Sequence, residues 1–360
     1  MGTLFDYLDW RGDIEISVDG FNEVDNIILC QLSYIDFSNI VPSDFKSTIT
    51  LKEVSIADFS KQMPYDPRML TLLKKAGASR RFGNARLCGY VDYLDKEKEM
   101  QFSAVTFLYA KHKAFIAFRG TDITITGWKE DFNMVFMAPV PSQKESVFYL
   151  ENAFRQLKHY GMHKKSIILG GHSKGGNLAT YSAAFSSSRF LPMISCIYCN
   201  DSPGFDSSLF AEDVFDSVNP LIKTYLPQDS VIGQLLEHKN KFTVIKSTAS
   251  GLMQHDPFSW EVYRNSFIHL PELTKTSIRF EKTIKKWLFG VELNDRKRFV
   301  DVFFNILEQS GIKTWDDLQN INLPRTLSFI KQLTALKPQE RDTLIKVIYE
   351  FVEILVKNEE

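Results

Sequence analysis

The sequence has almost no net charge and no long hydrophobic run. Its 43 lysines and arginines nearly balance its 44 aspartates and glutamates, which leaves a formal net charge of −1 over 360 residues. A surface that binds nucleic acid or an anionic membrane needs a basic excess, so this balance argues against both as partners. No window approaches the roughly 18 consecutive apolar residues of a membrane helix, so we expect no integral membrane segment. The N-terminal sequence MGTLFDYLDWRGD lacks the basic leader and apolar core of a signal peptide, and we expect a cytoplasmic protein.

Cysteine is also scarce. The chain has four, and two of them, Cys196 and Cys199, form a C-x-x-C within the apolar stretch ISCIYCN. This stretch is typical of a buried strand, in which residues i and i+3 point to opposite faces of the sheet. The sequence has no second pair of cysteines or histidines at zinc-finger spacing. We therefore interpret the cysteines as core residues and expect no metal site.

Short apolar runs alternate with helical segments between Gly89 and about Ser266. The runs are GYVDYL, QFSAVTFLYA, KAFIAF, SIILGG, ISCIYCN, LIKTYL and KFTVIKS. Such alternation predicts an α/β fold, with a mainly parallel sheet and helices on both of its faces. Residues 1–77 read as helices and loops that pack on this sheet. Because the pattern is helical alone after residue 265, we divide the chain into an α/β domain (1–265) and a helical C-terminal region (266–360).

One strand candidate ends in a glycine-flanked serine. The sequence Gly171-His172-Ser173-Lys174-Gly175 fits the G-x-S-x-G pattern of a nucleophile elbow, a sharp strand-to-helix turn that exposes a serine hydroxyl. The residues on either side must be small because the strand and the following helix approach each other closely. An apolar strand precedes the pattern and a small-residue helix follows it, which favours an elbow over a glycine-rich turn without chemistry. We predict that Ser173 is a nucleophile.

A serine nucleophile needs a base and an acid that orients the base. In hydrolases with this elbow the acid follows the serine in the chain and the histidine comes last. Three histidines follow Ser173, and of His238, His255 and His269 only His255 lies in a loop directly after the last central strand candidate. We predict His255 as the base. For the acid, we predict Asp229, at the end of LIKTYLPQD, over Asp201, which follows the strand before it.

The oxyanion of an acyl-transfer intermediate needs hydrogen-bond donors. One is expected from the backbone N–H of Lys174, the residue after the nucleophile. The second is expected from Thr121, which follows the strand KAFIAF and can donate both its N–H and its hydroxyl group. We expect Arg119 and Asp131 to form a buried ion pair that fixes this loop.

The same residues carry a family resemblance. The segments AFRGT…GWKEDF, GGHSKGGNLA, CNDSPGF, PQDSVIG and QHDPF resemble the motif series of class 3 (fungal-type) lipase-like hydrolases. DYLDWRGD, FNEVDNIILCQLSYIDF and QHDPFSWEV are more specific and resemble the bacterial Mbeg1-like family within that superfamily. The resemblance implies an α/β-hydrolase fold, with Ser173 as nucleophile, Asp229 as acid, His255 as base, and Thr121 and Lys174 as oxyanion donors. Lys174 stands where fungal-type lipases usually carry leucine, which weakens the case for an apolar triglyceride pocket.

We therefore expect a serine hydrolase that acts on a carboxylic ester, either a small molecule or a lipid, and needs no cofactor. An acyltransferase or thioesterase with the same triad is the first alternative. The second is a catalytically idle hydrolase fold whose helical C-terminal region binds a partner. The segment 122–143 is rich in apolar residues and reads either as a lid or acyl-pocket wall or as ordinary core. The sequence does not indicate an oligomeric state.

Overall fold

A computed structural model describes residues 2–59, 66–314, 317 and 323–357 of the chain. The helices are α1 (Leu4–Arg11), α2 (Ile16–Asp19), α3 (Glu23–Leu32), α4 (Leu51–Ser55), α5 (Pro67–Ala78), α6 (Ile125–Asn133), α7 (Pro141–Leu157), α8 (Lys174–Phe185), α9 (Lys275–Gly290), α10 (Leu293–Gln309), α11 (Leu323–Ala335) and α12 (Pro338–Lys357). The strands are β1 (Ile49–Thr50), β2 (Arg86–Asp95), β3 (Met100–Ala110), β4 (Lys113–Phe118), β5 (Ile167–His172), β6 (Ile194–Asn200), β7 (Ile222–Pro227), β8 (Phe242–Ile245), β9 (Val262–Tyr263), β10 (Ser266–Phe267) and β11 (His269–Leu270).

Nine of these strands form one sheet in the order β1-β2-β3-β4-β5-β6-β7-β8-β11. The five strands from β4 to β8 run parallel, whereas β1 to β4 at one edge and β11 at the other pair antiparallel. Parallel strands need crossover connections. Helix α7 lies in the connection from β4 to β5, and helix α8 connects β5 to β6. This is an α/β-hydrolase fold with a mainly parallel centre, as the sequence predicted.

The alternation along the central strands separates two apolar layers. In β4, Phe115 and Ala117 belong to the layer that includes the N-terminal helices, while Ile116 and Phe118 belong to the layer that includes α7 and α8. The same division places Cys196 in the first layer and Cys199 in the second, as expected for residues i and i+3 of a strand. All the cysteines are free thiols.

The N-terminal helices cover one face of the sheet. Helix α3 begins at a capping box in which the Asn22 side chain accepts from the backbone N–H of Asp25 and the Asp25 carboxylate accepts from the N–H of Asn22. Its first turn carries Asp25, which is fully buried, forms an ion pair with Arg81 and accepts a 2.7 Å hydrogen bond from the hydroxyl of Tyr7. Because a buried carboxylate needs such partners, this cluster fixes α1 and α3 against the segment that enters β2.

The C-terminal helices pack over the carboxyl ends of the strands. The N–H of Thr274, the N-cap of α9, donates to the carbonyl of Gln228 at 2.9 Å, directly after β7. Val300 and Phe304 of α10 pack with Ile125 and Trp128 of α6. The last strands, β10 and β11, extend a few residues past Ser266, where we expected the strands to end. They were missed because each has only two residues, too few to show an alternating pattern. Among the described residues, no helix is both long and apolar enough to span a bilayer.

Candidate active site

Ser173 lies on a strained turn between β5 and α8. Its backbone adopts φ 57° and ψ −136°, a conformation that costs a non-glycine residue on the order of 1–3 kcal/mol. Its N–H donates to the carbonyl of Asn200 on β6 at 3.0 Å, which holds the turn at the edge of the sheet. A side chain at Gly171 would overlap the backbone of Gly175, and one at Gly175 would overlap the carbonyl of Phe118. The structure therefore gives Ser173 the geometry of a nucleophile elbow.

His255 ends a short 3-10 helix (Gly251–His255) that follows β8. Its Nδ1 lies 2.7 Å from Oδ2 of Asp201, the first residue after β6. The other carboxylate oxygen, Oδ1, accepts from the hydroxyl of Ser230 at 2.5 Å and from the N–H of Gly233 at 3.1 Å. Asp201 is fully buried, so its carboxylate is held by fixed donors rather than by solvent. This is the arrangement of an acid that orients a histidine.

Asp229 does not contact His255, and the prediction that it orients this histidine differs from the structure. Its Oδ2 instead accepts a 2.8 Å hydrogen bond from Nε2 of Gln254, and its Oδ1 accepts from the hydroxyl of Thr274. Its backbone N–H also donates to Oε1 of Gln254 at 3.0 Å. Asp229 thus holds the residue before the histidine and the start of α9, while Asp201 holds the imidazole.

The reason is the register of the parallel strands. His172 pairs with Asn200, and Asn200 pairs with Tyr225, so Ser173 and Asp201 follow neighbouring strands at the same level. Asp229 lies well beyond the level of Tyr225. The number of residues between the end of a strand and the next aspartate does not show how far that strand is shifted against its neighbours. The sequence alone therefore could not decide between Asp201 and Asp229.

The loop after β4 passes directly beside the serine. A Cβ atom at Gly120 would lie 3.1 Å from Cβ of Ser173 and 2.5 Å from the carbonyl oxygen of His172, so only glycine allows this approach. The hydroxyl of the next residue, Thr121, donates to Oδ2 of Asp131. Since this hydroxyl proton is already used, the backbone N–H is the group that Thr121 can offer to an oxyanion.

Lys174 is the first residue of α8, and its ammonium group is buried inside the protein. Nζ lies 2.9 Å from Oε2 of Glu130, 3.1 Å from the carbonyl oxygen of Gln101 and 3.6 Å from Oδ1 of Asp131. Burial opposes the charged ammonium, but the carboxylates of Glu130 and Asp131 outweigh it and raise the pKa of Lys174. The cation is therefore neutralised inside the fold, where only 1% of its side-chain surface is exposed.

Two neighbours of this network behave differently from expectation. Burial raises the pKa of Asp131 to about 6, against the attraction of Lys174, although 32% of its side-chain surface stays exposed. Arg119 does not pair with Asp131, and that prediction was wrong. Its guanidinium lies 2.8 Å from the carboxylate of Asp92 on β2, because the side chain at the end of β4 extends across β3 toward that strand.

The segment 122–143 contains α6, which covers this network. Ile125 and Trp128 pack on α10, and the N–H of Ile125 donates to the carbonyl of Lys313 at 3.0 Å. Phe132 and Met137 remain partly exposed. In the described part of the chain, no group of three or more histidine, cysteine, aspartate or glutamate side chains could hold a metal ion.

Comparisons with known proteins give one family. The model of the Mbeg1-like family matches residues 76–305. A search of curated proteins gives no match. Among solved structures, the crystal structure of M37 lipase is similar at 15% identity and a TM-score of 0.34, over 58% of this chain and 68% of that one. The crystal structure of extracellular lipase LipA from Serratia marcescens is similar at 13% identity and a TM-score of 0.31, over 46% of this chain and 30% of that one.

Proposed function

Since the chain belongs to the Mbeg1-like family, we propose that it is a serine hydrolase that cleaves a carboxylic ester through an acyl-enzyme on Ser173. One observation carries this proposal. The same edge of the sheet carries a strained serine elbow and a histidine that is held by a buried aspartate. Nδ1 of this histidine, His255, lies 2.7 Å from Oδ2 of Asp201. An activated serine needs a base, and a base needs an orienting group; the fold supplies residues of both kinds.

In the first half of the reaction, Oγ of Ser173 attacks the ester carbonyl carbon and Nε2 of His255 takes the hydroxyl proton. Asp201 holds Nδ1–H, which leaves Nε2 as the basic nitrogen, and its charge stabilises the imidazolium that forms. The tetrahedral intermediate then collapses, the bond to the alkoxy oxygen breaks, and the imidazolium gives its proton to the leaving alcohol.

The negative charge on the intermediate is stabilised by backbone donors. The N–H of Lys174, at the positive end of α8, is one of them. The N–H of Thr121, in the loop that Gly120 brings to the serine, is the second. In the second half, water attacks the acyl-enzyme with the same base, and the carboxylic acid is released. The substrate class is a carboxylic ester, either a small molecule or a lipid.

The test is labelling of the serine with a fluorophosphonate probe, together with hydrolysis of p-nitrophenyl esters over a series of acyl lengths. We expect the wild type to be labelled once and to release p-nitrophenol. Ser173→Ala abolishes both signals. Ser182→Ala is the matched control, because it removes a buried hydroxyl of α8 that only donates to the carbonyl of Ala179.

Each other outcome decides between functions. Labelling that persists in Ser173→Ala moves the nucleophile to another residue. A folded wild type that is neither labelled nor active with any ester contradicts the hydrolase proposal and favours the idle fold. Acyl transfer to an added alcohol in preference to water favours the acyltransferase.

A further inference from the structure

A second histidine lies against the proposed base. His172 is the last residue of β5 and is buried. Its ring is tilted by 32° against the His255 ring, with 4.4 Å between the ring centres. Its Nε2 lies 2.8 Å from the backbone carbonyl oxygen of His255. Its Nδ1 lies 3.1 Å from the hydroxyl oxygen of Tyr34, which follows α3. His172 therefore joins the N-terminal helical layer to the loop that carries the base.

The hydrogen-bond roles in this chain follow from the chemistry of its ends. A carbonyl oxygen only accepts, so Nε2 of His172 carries the proton. Burial, and after it the neighbouring His255 ring, lowers the pKa of His172 well below its usual range, so Nδ1 is unprotonated and accepts. The donor to Nδ1 is then the hydroxyl of Tyr34, which also lies 3.4 Å from the backbone carbonyl oxygen of His172. The hydrogen bonds run from Tyr34 through the ring to the backbone of His255.

Tyr34 and His172 lie between two loops of the proposed site, the loop after β4 that contains Gly120 and the loop that carries His255. The hydroxyl of Tyr34 borders Gly120, where a side chain would overlap it. On the other side, the ring of His172 meets the edge of Trp260 at 6.0 Å between centres, and Nε1 of Trp260 donates to the carbonyl of Gln254 at 2.8 Å. The loop of the base is thus held at two successive carbonyl groups.

We propose that His172 is a positioning residue, which holds the His255 main chain through its Nε2–H and is itself oriented by Tyr34. This inference rests on the proposed function and adds a role for the residue before the nucleophile. Asp201 fixes the imidazole at Nδ1, and His172 fixes the backbone from which that imidazole extends. Two anchors are needed because one hydrogen bond leaves the ring free to swing about it.

The kinetic test compares His172→Phe, which keeps a flat ring and removes the donor, with His172→Gln, whose Nε2 can still donate. We expect His172→Phe to lower kcat on the order of 10²-fold with little change in KM, since misplacing a catalytic group by about 1 Å costs that much. His172→Gln recovers most of this loss. Tyr34→Phe lowers kcat by up to about ten-fold, the effect of one hydrogen bond.

Two control variants separate positioning from folding. His112→Phe removes a histidine that contacts the carbonyl of Tyr160 at the opposite end of β4. Tyr149→Phe removes a buried hydroxyl paired with Thr106 at 2.9 Å. We expect both to keep wild-type kcat, with Tm measured for every variant. A His172→Phe enzyme with wild-type kcat, or a His172→Gln enzyme no better than His172→Phe, would overturn the proposal.

A spectroscopic test needs no turnover. In ¹⁵N-labelled protein we expect His172 to show the Nε2–H tautomer at neutral pH, with a pKa below that of an ordinary histidine. A proton on Nδ1 contradicts the hydrogen-bond chain. A wild type without probe labelling or turnover would refute the hydrolase proposal and, with it, the positioning role of His172 in catalysis. The tautomer of His172 would still show whether its hydrogen bonds are as described.

Discussion

The two oxygens of the Asp201 carboxylate face different partners. Oδ1 is held by the hydroxyl of Ser230 and the N–H of Gly233, and Oδ2 is left for the imidazole of His255. Both donors to Oδ1 come from the segment after β7, so this segment orients the carboxylate of Asp201 although Asp201 itself follows β6. An asparagine at position 201 would turn an NH2 group toward either the donors or the histidine, and both alternatives are unfavourable.

We predict that Asp201→Asn lowers kcat on the order of 10⁴-fold, because an amide that donates to Nδ1 stabilises the wrong tautomer of His255. Asp229→Asn keeps one acceptor for Gln254 or Thr274 and loses no more than about ten-fold. The measurement is kcat on a p-nitrophenyl ester for both variants. The reverse order of the two losses would return the acid role to Asp229.

The ionisation of Asp131 makes the free energy of unfolding depend on pH. Its pKa is about 6 in the folded chain, against an ordinary value of 3.8. Between these two values the folded state binds more protons than the unfolded state, so the free energy of unfolding falls as the pH rises through this window. Above about pH 6 both states are ionised and the contribution is constant.

We therefore predict that the wild type loses stability relative to Asp131→Asn between about pH 4 and pH 6, and that the difference stays level up to about pH 8. Urea unfolding of both proteins at several pH values measures it. The comparison cancels the titration of groups that the two proteins share. A difference that grows in favour of the wild type over the same interval would contradict the raised pKa.

A buried ion pair joins α6, the lid candidate, to α8, the helix that follows Ser173. Lys174 at the start of α8 and Glu130 in α6 are 1% and 0% exposed at their side chains, with 2.9 Å between Nζ and Oε2. Glu130 also accepts from the N–H groups of Gln101 and Ser142. A charge with so many fixed partners ties α6 to β3, α7 and α8, so α6 is anchored at this end rather than free to open as a whole.

We predict that Lys174→Met lowers the free energy of unfolding by about 3–5 kcal/mol, because it leaves a buried carboxylate without its cation. The loss of unfolding free energy in the double variant Lys174→Met/Glu130→Gln should be smaller than the sum of the two single losses, by about 1 kcal/mol or more. Lys129→Met is the control, since its 2.6 Å pair with Glu99 is partly exposed and is worth about 1 kcal/mol at most. Additive losses in the urea-unfolding cycle would contradict the coupling.

Helices and strands were predictable from the sequence where the pattern of apolar residues extends over enough positions to be recognised. β4, β5 and β6 were found because their apolar runs stand between turn residues, and the elbow at Ser173 was found because glycines flank it. Asp201 was only an alternative, because the register of β6 against β7 depends on pairing between distant segments. The inward direction of Lys174 was not predicted, since its partner Glu130 comes from a different helix.

The C-terminal helices and the sheet meet at residues that also contact the proposed site. Thr274, the N-cap of α9, donates to Asp229, and the hydroxyl of Ser277 donates to the carbonyl of Ser230 at 2.6 Å. Ser230 in turn holds Asp201. The division at residue 265, which we predicted from the end of the strand pattern, therefore passes through a continuous set of hydrogen bonds.

These contacts bear on whether residues 266–360 unfold separately. Phe304 of α10 is 3% exposed, and its ring meets that of Phe132 of α6 edge to face, 5.4 Å between centres. If α10 and the sheet form one cooperative unit, a cavity at Phe304 destabilises all of it. We predict that Phe304→Ala lowers the free energy of unfolding by about 3–5 kcal/mol in a single transition, seen alike by tryptophan fluorescence and by circular dichroism.

The fluorescence probes report on both parts, because Trp260 is buried beside the histidine loop while Trp287 lies in α9. Leu327→Ala in α11 is the matched control, since this side chain is 58% exposed and its loss should change stability by less than about 0.5 kcal/mol. An early transition that involves only the C-terminal helices, with the main transition unmoved, would show two independent units. In that case the contacts of Thr274 and Ser277 would not couple the helices to Asp201, the proposed acid, and the kcat of Phe304→Ala would stay at the wild-type value.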